Sequence, residues 1–582
     1  MSTFAKNISS CRRCVTTPRR RVNSGSTNVI DTAKMQAKSI VMNQWKLISE
    51  LKIYLSKFTN DKSFENALNK EFVQFLQKVD PKKYGNDLVK YFASPTSEII
   101  TKKSEPNETK QEQSKLSLPG VLSGLNINIA NKENQQKENI PRWKINKQLV
   151  SNESVSLRTS HVLTSLAVAE TDASKIRRIE DLISHLEQYP EAKHNAVKEG
   201  AIRTLLRIRQ SAENYDLQSA LNVAFALLGY TDPVPGIGIR VLSIDGGGVR
   251  GILVIEMLRK LEELSGKPIY EMFDFICGVS TGAIIAALLV LKQKSLNEIA
   301  EIYKTISTEI FTQSTLKGTS NLVWSHSYYD TALWEKLLKN QWDNKLLIET
   351  RRNLKVPNFC AVSAVVNQSR LSAYIFRNYS LPCKVQSQYM GGYNHQVWET
   401  VRASAAAPTY FEEFKIGNML HQDGGILVNN PTAVAIHEAK LLWPNTPIQC
   451  VVSFGTGRTV PNPMDTTAES LTTPISNSSW KKKFFAILDS ATDTEGVHTM
   501  LSDLLPGNVY YRFNPYLTEM LDIAEIDPNK LEQLKRDALM YLRRNDDKFQ
   551  DAVKALSKKK NLTQKLLDWM NLRKEIHGLN RW

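Results

Sequence analysis

Cysteine is scarce, with 6 among 582 residues, so the chain has no disulfide framework and reads as a protein of a reducing compartment. Long apolar runs are missing as well. The longest, Ala283 to Leu291, is about half of what a bilayer-spanning helix needs, and no transmembrane helix is expected. There is no EF-hand loop, no His-Glu-x-x-His and no paired Cys/His cluster, so the sequence calls for neither a metal nor a cofactor. Cys11-x-x-Cys14 stands without a second pair and without a preceding strand, which argues against zinc or redox chemistry. What remains is ordinary for a folded protein: a 42% hydrophobic chain whose length suits two or three domains.

Charge is unevenly spread. Residues 1–150 hold 26 Lys/Arg against 13 Asp/Glu, so most of the net +16 lies in the first quarter. Such an arm favours anionic partners, and with no nucleic-acid-binding motif in the chain, acidic lipid headgroups or an import receptor are expected rather than nucleic acid. Residues 1–34 are rich in Arg, Ser and Thr and carry no acid before Asp31, which is the composition of a mitochondrial transit segment. Val41, Trp45, Ile48, Leu51, Leu55 and Phe58, then Phe64, Leu68, Phe72 and Phe75, predict a helical hairpin over 35–93. Polar, aperiodic sequence over 94–152 predicts a disordered linker.

Helical periodicity returns over 153–232, where Ala196 to Leu206 looks like an armadillo-type unit suited to packing or to binding a protein partner. After Pro233-Val-Pro235 buried strands alternate with helices, which predicts an α/β sheet domain over 236–458. Beyond it, 459–582 reads as a mainly helical extension. Its Trp480-Lys-Lys-Lys-Phe-Phe-Ala-Ile-Leu488 mixes basic and apolar residues in a way that suits peripheral docking on a membrane.

Three motifs carry the chemistry. Asp245-Gly246-Gly247-Gly248 lies between a strand and a helix, where consecutive main-chain N–H groups can converge on a negative oxygen. It serves equally as a dinucleotide loop or an oxyanion cradle. Gly278-Val279-Ser280-Thr281-Gly282 follows an apolar strand and enters an apolar helix, the context of a nucleophile elbow. Ser280 needs a base. Asp423-Gly424-Gly425 offers one, while His421, His437 and His498 are the histidines from which a Ser-Asp-His triad could be drawn; the dyad ranks above the triad.

With these motifs in this order, together with Arg402-Ala-Ser-Ala-Ala-Ala-Pro408, Asn429-Asn-Pro431, Ser453-Phe-Gly-Thr-Gly-Arg458 and Ser490-Ala-Thr-Asp-Thr-Glu495, the sequence resembles the patatin-like phospholipase family. From about Gly236 to Trp582 it resembles the calcium-independent phospholipase A2 gamma branch closely, and the resemblance fades before about Glu153. It implies a three-layer α/β fold, a Ser280 nucleophile, an Asp423 base and an oxyanion hole from Gly246, Gly247 and Gly248. It also implies calcium-independent release of fatty acid and lysophospholipid from glycerophospholipids at a membrane surface. Arg250 is a candidate for the substrate phosphate. The expected site is the mitochondrion, with the endoplasmic reticulum or another intracellular membrane as the alternative. The final Leu579-Asn-Arg-Trp582 is not the Ser-Lys-Leu peroxisomal address.

Overall fold

The computed structural model describes residues 151–312, 327–342, 344–458, 494–519 and 521–579. The presequence 1–34, the hairpin 35–93, nearly all of the linker 94–152 and the docking segment Trp480 to Leu488 lie outside the described residues.

Among the described residues nine strands form one mixed sheet: β1 Ile239–Ile244, β2 Phe275–Val279, β3 Asn358–Val365, β4 Ser372–Arg377, β5 Met390–Gly392, β6 Phe414–Ile416, β7 Met419–Asp423, β8 Ile448–Phe454 and β9 Tyr510–Phe513. The main order is β5-β4-β3-β2-β1-β8-β9, and β6 pairs with β7, which pairs with β3. The centre, from β3 through β9, is parallel. β4 and β7 run antiparallel to β3. Central strands covered on both faces have no room for a solvated side, which is why β2 reads as an unbroken apolar run and β3 is buried along its whole length, Asn358 and Ser363 included.

Helices cover both faces. On one, Leu242, Ile244, Ile276, Phe359 and Phe454 pack with the helices Gly251–Ser265, Thr281–Val290, Pro528–Arg544 and Asp546–Leu556. On the other, Val241, Phe275, Val279, Val362 and Val451 meet the helix Thr432–Leu442. All ten residues of Thr281–Val290 are buried, so this helix shows no amphipathic stripe.

The helical segment comprises Asn152–Ala167, Asp172–Gln188, Ala192–Lys198, Ala201–Gln210 and Tyr215–Leu228. Its core takes in Ile348 and Ile576 from later in the chain. Accordingly 151–582 is one compact unit rather than a string of separate bodies. The region after Arg458 also contributes more than helices, since Tyr510–Phe513 pairs in parallel with β8 and completes the sheet. Four residues with a single arginine among aromatics are too short for a periodicity signal.

Candidate active site

β2 ends at Val279, which lies beside Val362 of β3. The next residue of β3, Ser363, is paired not with β2 but with Asp423, the last residue of β7, approaching from the opposite direction. Two strands thus meet end to end along one neighbour, and their outgoing residues are Ser280 and Asp423. The Ser280 hydroxyl donates to Asp423 Oδ2 at 2.5 Å. This arrangement joins side chains 143 positions apart.

The turn out of β2 is sharp. Ser280 has φ 53° and ψ −122°, a conformation that non-glycine residues rarely take. A Cβ on Gly282 would lie 2.3 Å from the Ile244 carbonyl oxygen, so the helix can start this close to β1 only with glycine there. The Ser280 N–H donates to Ser404 Oγ at 3.0 Å, and Ser404 in turn donates to the Val362 carbonyl at 2.6 Å. Ser404, in the alanine-rich segment, therefore fixes the elbow against β3. Sequence marks it only as part of the Arg402 to Pro408 segment, where a serine among alanines gives no chemical signal of its own.

Asp423 is buried, and burial pushes its carboxyl up to about 6 against the opposing pull of the Ser280 hydroxyl and the Gly425 N–H. The Gly425 N–H donates to its other oxygen at 2.7 Å. A Cβ on Gly424 would meet the Val362 carbonyl oxygen at 2.3 Å, which accounts for the glycine after the aspartate. The carboxylate is thus held by one hydroxyl and one amide and is ionised at neutral pH.

The glycine loop lies alongside. A Cβ on Gly246 would come within 3.0 Å of Ser280 Cβ and 2.6 Å of Asn429 Oδ1. The Gly246 N–H is directed to the Asn429 carbonyl at a long 3.4 Å, whereas the N–H groups of Gly247 and Gly248 donate to no acceptor among the described residues. Tyr303, buried, donates to the Gly248 carbonyl and bonds the Thr281 hydroxyl, tying the loop to the elbow's helix. Asp245 anchors the other end of the loop through Arg512, at 2.6 Å. Neither Tyr303 nor Arg512 carries a motif that would reveal its role from sequence.

The histidines of the alternative triad are elsewhere. His421 is fully buried with Nδ1 2.8 Å from Ser363 Oγ, His437 lies 3.3 Å from Ser387 Oγ, and His498 is 3.3 Å from Tyr510. Arg250 Nε donates to the Gly247 carbonyl at 3.2 Å. Beside Ser280 opens an apolar cavity of about 650 Å³ of empty space, part of it open to solvent, walled by Ile284, Ile302, Ile306, Ile310, Trp334 and Phe411. Arg250 does not line it. Among the described residues no group of three or more His, Cys, Asp or Glu side chains forms a metal site, and no helix is long and apolar enough to cross a membrane.

Residues 242–436 match the family described as patatin-like phospholipase. The chain is 41% identical over 477 residues to "Calcium-independent phospholipase A2-gamma" of Mus musculus, covering 82% of this chain and 59% of that protein. It is 43% identical over 449 residues to the protein of the same name from Homo sapiens, covering 77% and 56%. Against "Phospholipase A I" of Arabidopsis thaliana it is 32% identical over 381 residues, covering 56% and 28%. The chain thus spans little more than half the length of its mammalian relatives. The match to the mouse protein takes in more of the chain than residues 153–582 amount to, so the likeness reaches upstream of Glu153. Residues 242–436, which hold both Ser280 and Asp423, are thus the part of the chain that matches the patatin-like phospholipases.

Proposed function

We propose that this protein is a calcium-independent phospholipase A that cleaves acyl esters of glycerophospholipids with a Ser280–Asp423 dyad. The observation that carries the reading is the 2.5 Å hydrogen bond from the Ser280 hydroxyl to a buried carboxylate at the mouth of an apolar cavity. Asp423 accepts the hydroxyl proton as Ser280 Oγ attacks the ester carbonyl. The amides of Gly247 and Gly248, with the start of the helix Thr281–Val290, supply donors for the tetrahedral oxyanion, worth about 10²–10³ in rate. Gly246, whose N–H faces the Asn429 carbonyl, serves chiefly by letting the loop approach Ser280.

The proton on Asp423 passes to the departing lysophospholipid oxygen. Water, deprotonated by Asp423, then attacks the acyl-Ser280 ester, and fatty acid leaves as the serine recovers its proton. The apolar cavity suits the acyl chain. Nucleophile, base and oxyanion donors all come from the protein, which is the chemical ground for calcium independence, in keeping with the names of the mammalian relatives.

Reaction occurs in this reading at a membrane surface, to which the basic arm of residues 1–150 adds attraction for anionic lipids. Residues 1–34 would direct the chain to mitochondria; fluorescence of a fusion to that segment checks this, and a diffuse signal counts against it. For the activity, mixed-chain phosphatidylcholine is incubated with purified protein in excess chelator. Fatty acid and lysophospholipid are expected from the wild type and neither from Ser280→Ala. Equal turnover by that variant, or turnover that stops with chelator, overturns the proposal.

A further inference from the structure

A second cavity lies away from the Ser280 cavity, between the ends of β8 and β9 and the helices Thr494–Leu504, Pro528–Arg544 and Asp546–Leu556. It contains about 1090 Å³ of empty space, part of it open to solvent, and shares no lining residue with the apolar one. Its wall is charged rather than greasy. Four cations, Arg458, Arg512, Arg544 and Lys548, face two carboxylates, Glu495 and Asp537.

Those carboxylates are already committed. Glu495 takes Arg458 at 2.7 Å and the Asn514 amide at 2.9 Å, leaving Arg512 at 3.8 Å. Asp537 accepts from the Thr518 N–H and hydroxyl and from Gln533. Arg544 and Lys548 have no carboxylate partner among the described residues; Lys548 donates only to the Arg512 main-chain carbonyl, at 2.6 Å. Arg512, 3% exposed, is deeply buried, yet its Nε donates to nothing among the described residues, and the same holds for Arg458 Nε. Buried guanidinium N–H groups left without an acceptor are costly. Burial and the neighbouring Arg458 and Arg512 depress the Lys548 ammonium, as expected for cations crowded together.

We infer that this cavity is a binding site for a phosphomonoester or diphosphate group, separate from the ester-cleaving centre. With Arg512 already paired to Asp245 behind the wall, the cluster keeps about one positive charge, which a phosphate group offsets; its several oxygens match donors that have no acceptor, and guanidinium forks suit tetrahedral oxyanions. The space exceeds a lone phosphate. Tyr516, half exposed with Arg458 4.3 Å above its ring, offers a flat face to whatever the phosphate carries. The group comes either from a soluble phosphate ester or from the headgroup of a phosphomonoester lipid.

The test uses the full chain, with pyrophosphate in calorimetry at constant ionic strength and, separately, phosphatidylcholine vesicles with and without phosphatidic acid. Saturable pyrophosphate binding at one site, weakened about tenfold or more in Lys548→Gln and in Arg544→Gln and retained in Lys548→Arg, supports a soluble ligand. Preferential binding to phosphatidic acid vesicles, lost in the same two variants, supports the lipid source. Both Gln variants should hydrolyse a short-chain ester at the wild-type rate, which shows that they fold. Binding that is the same in the wild type and both variants belongs to the basic arm and overturns the inference, as does the absence of saturable binding of either probe.

Discussion

Two Asp-Gly-Gly turns, Asp245-Gly-Gly and Asp423-Gly-Gly, leave the ends of strands in the same sheet and meet different partners. Both aspartates are buried, and burial pushes each carboxyl up to about 6. They differ in what they meet. Arg512 is 2.6 Å from Asp245 and makes it a counterion, fixing the base of the glycine loop. No cation is among the groups that set Asp423, which meets a hydroxyl and an amide and so stays able to accept a proton. The same three letters become an anchor or, in the proposed dyad, a base according to the partner that the fold delivers.

The comparison can be broken by exchanging effects. Asp423→Asn should lower fatty-acid release by about 10⁴-fold with folding intact, and Ser280→Ala by at least as much, read as kcat on a monomeric ester. A residual rate in Asp423→Asn within tenfold of wild type would remove Asp423 from the role of base. Asp245→Asn should act on stability instead. It leaves Arg512 buried with the Ser453 hydroxyl and, for a counter-charge among the described residues, Glu495 at 3.8 Å, at a cost of about 3–5 kcal/mol, measured by urea unfolding. If it lost activity at unchanged stability, Asp245 would be doing chemistry rather than anchoring.

The difference sharpens with pH. In the proposed dyad the ionised form of Asp423 is the base, so kcat/KM should rise as pH increases through about 6 and level off above it. A profile flat from pH 5 to 8 would contradict that environment. Ser404→Ala, which removes the acceptor of the Ser280 N–H, should cost about tenfold in kcat, or roughly 1–1.5 kcal/mol. The smallest effect is expected of His437→Ala, on a helix and bonded to Ser387: within about twofold of wild-type turnover, whereas a triad would lose about 10³–10⁴.

Much of this site was legible in the chain because its constraints are local. The elbow shows itself as an apolar strand, a serine between glycines and an apolar helix, and Gly278 and Gly282 stand where backbones touch. The helix Thr281–Val290 and strands β1, β2, β3, β4 and β8 announce themselves by burial. β6, β7 and β9 do not, being three to five residues long and mixed in polarity. Their assignment depends on pairing with β3 or β8, a long-range event that leaves no period in the sequence. Arg512 and Tyr303 stayed hidden for a related reason: an arginine in an aromatic strand and a tyrosine in an amphipathic helix look like ordinary residues until their partners are in place.

By itself, the sequence determined the elbow that presents Ser280, the glycine-bearing turns around it and the buried strands that carry them, since each of these follows from steric and hydrophobic demands within a few residues. Only the tertiary structure decided which aspartate reaches that serine. That choice depends on β2 and β7 abutting along β3, and on a cation at residue 512 claiming the other carboxylate first. Hydrogen bonds and charges act over a few ångströms of space, and only folding sets that distance.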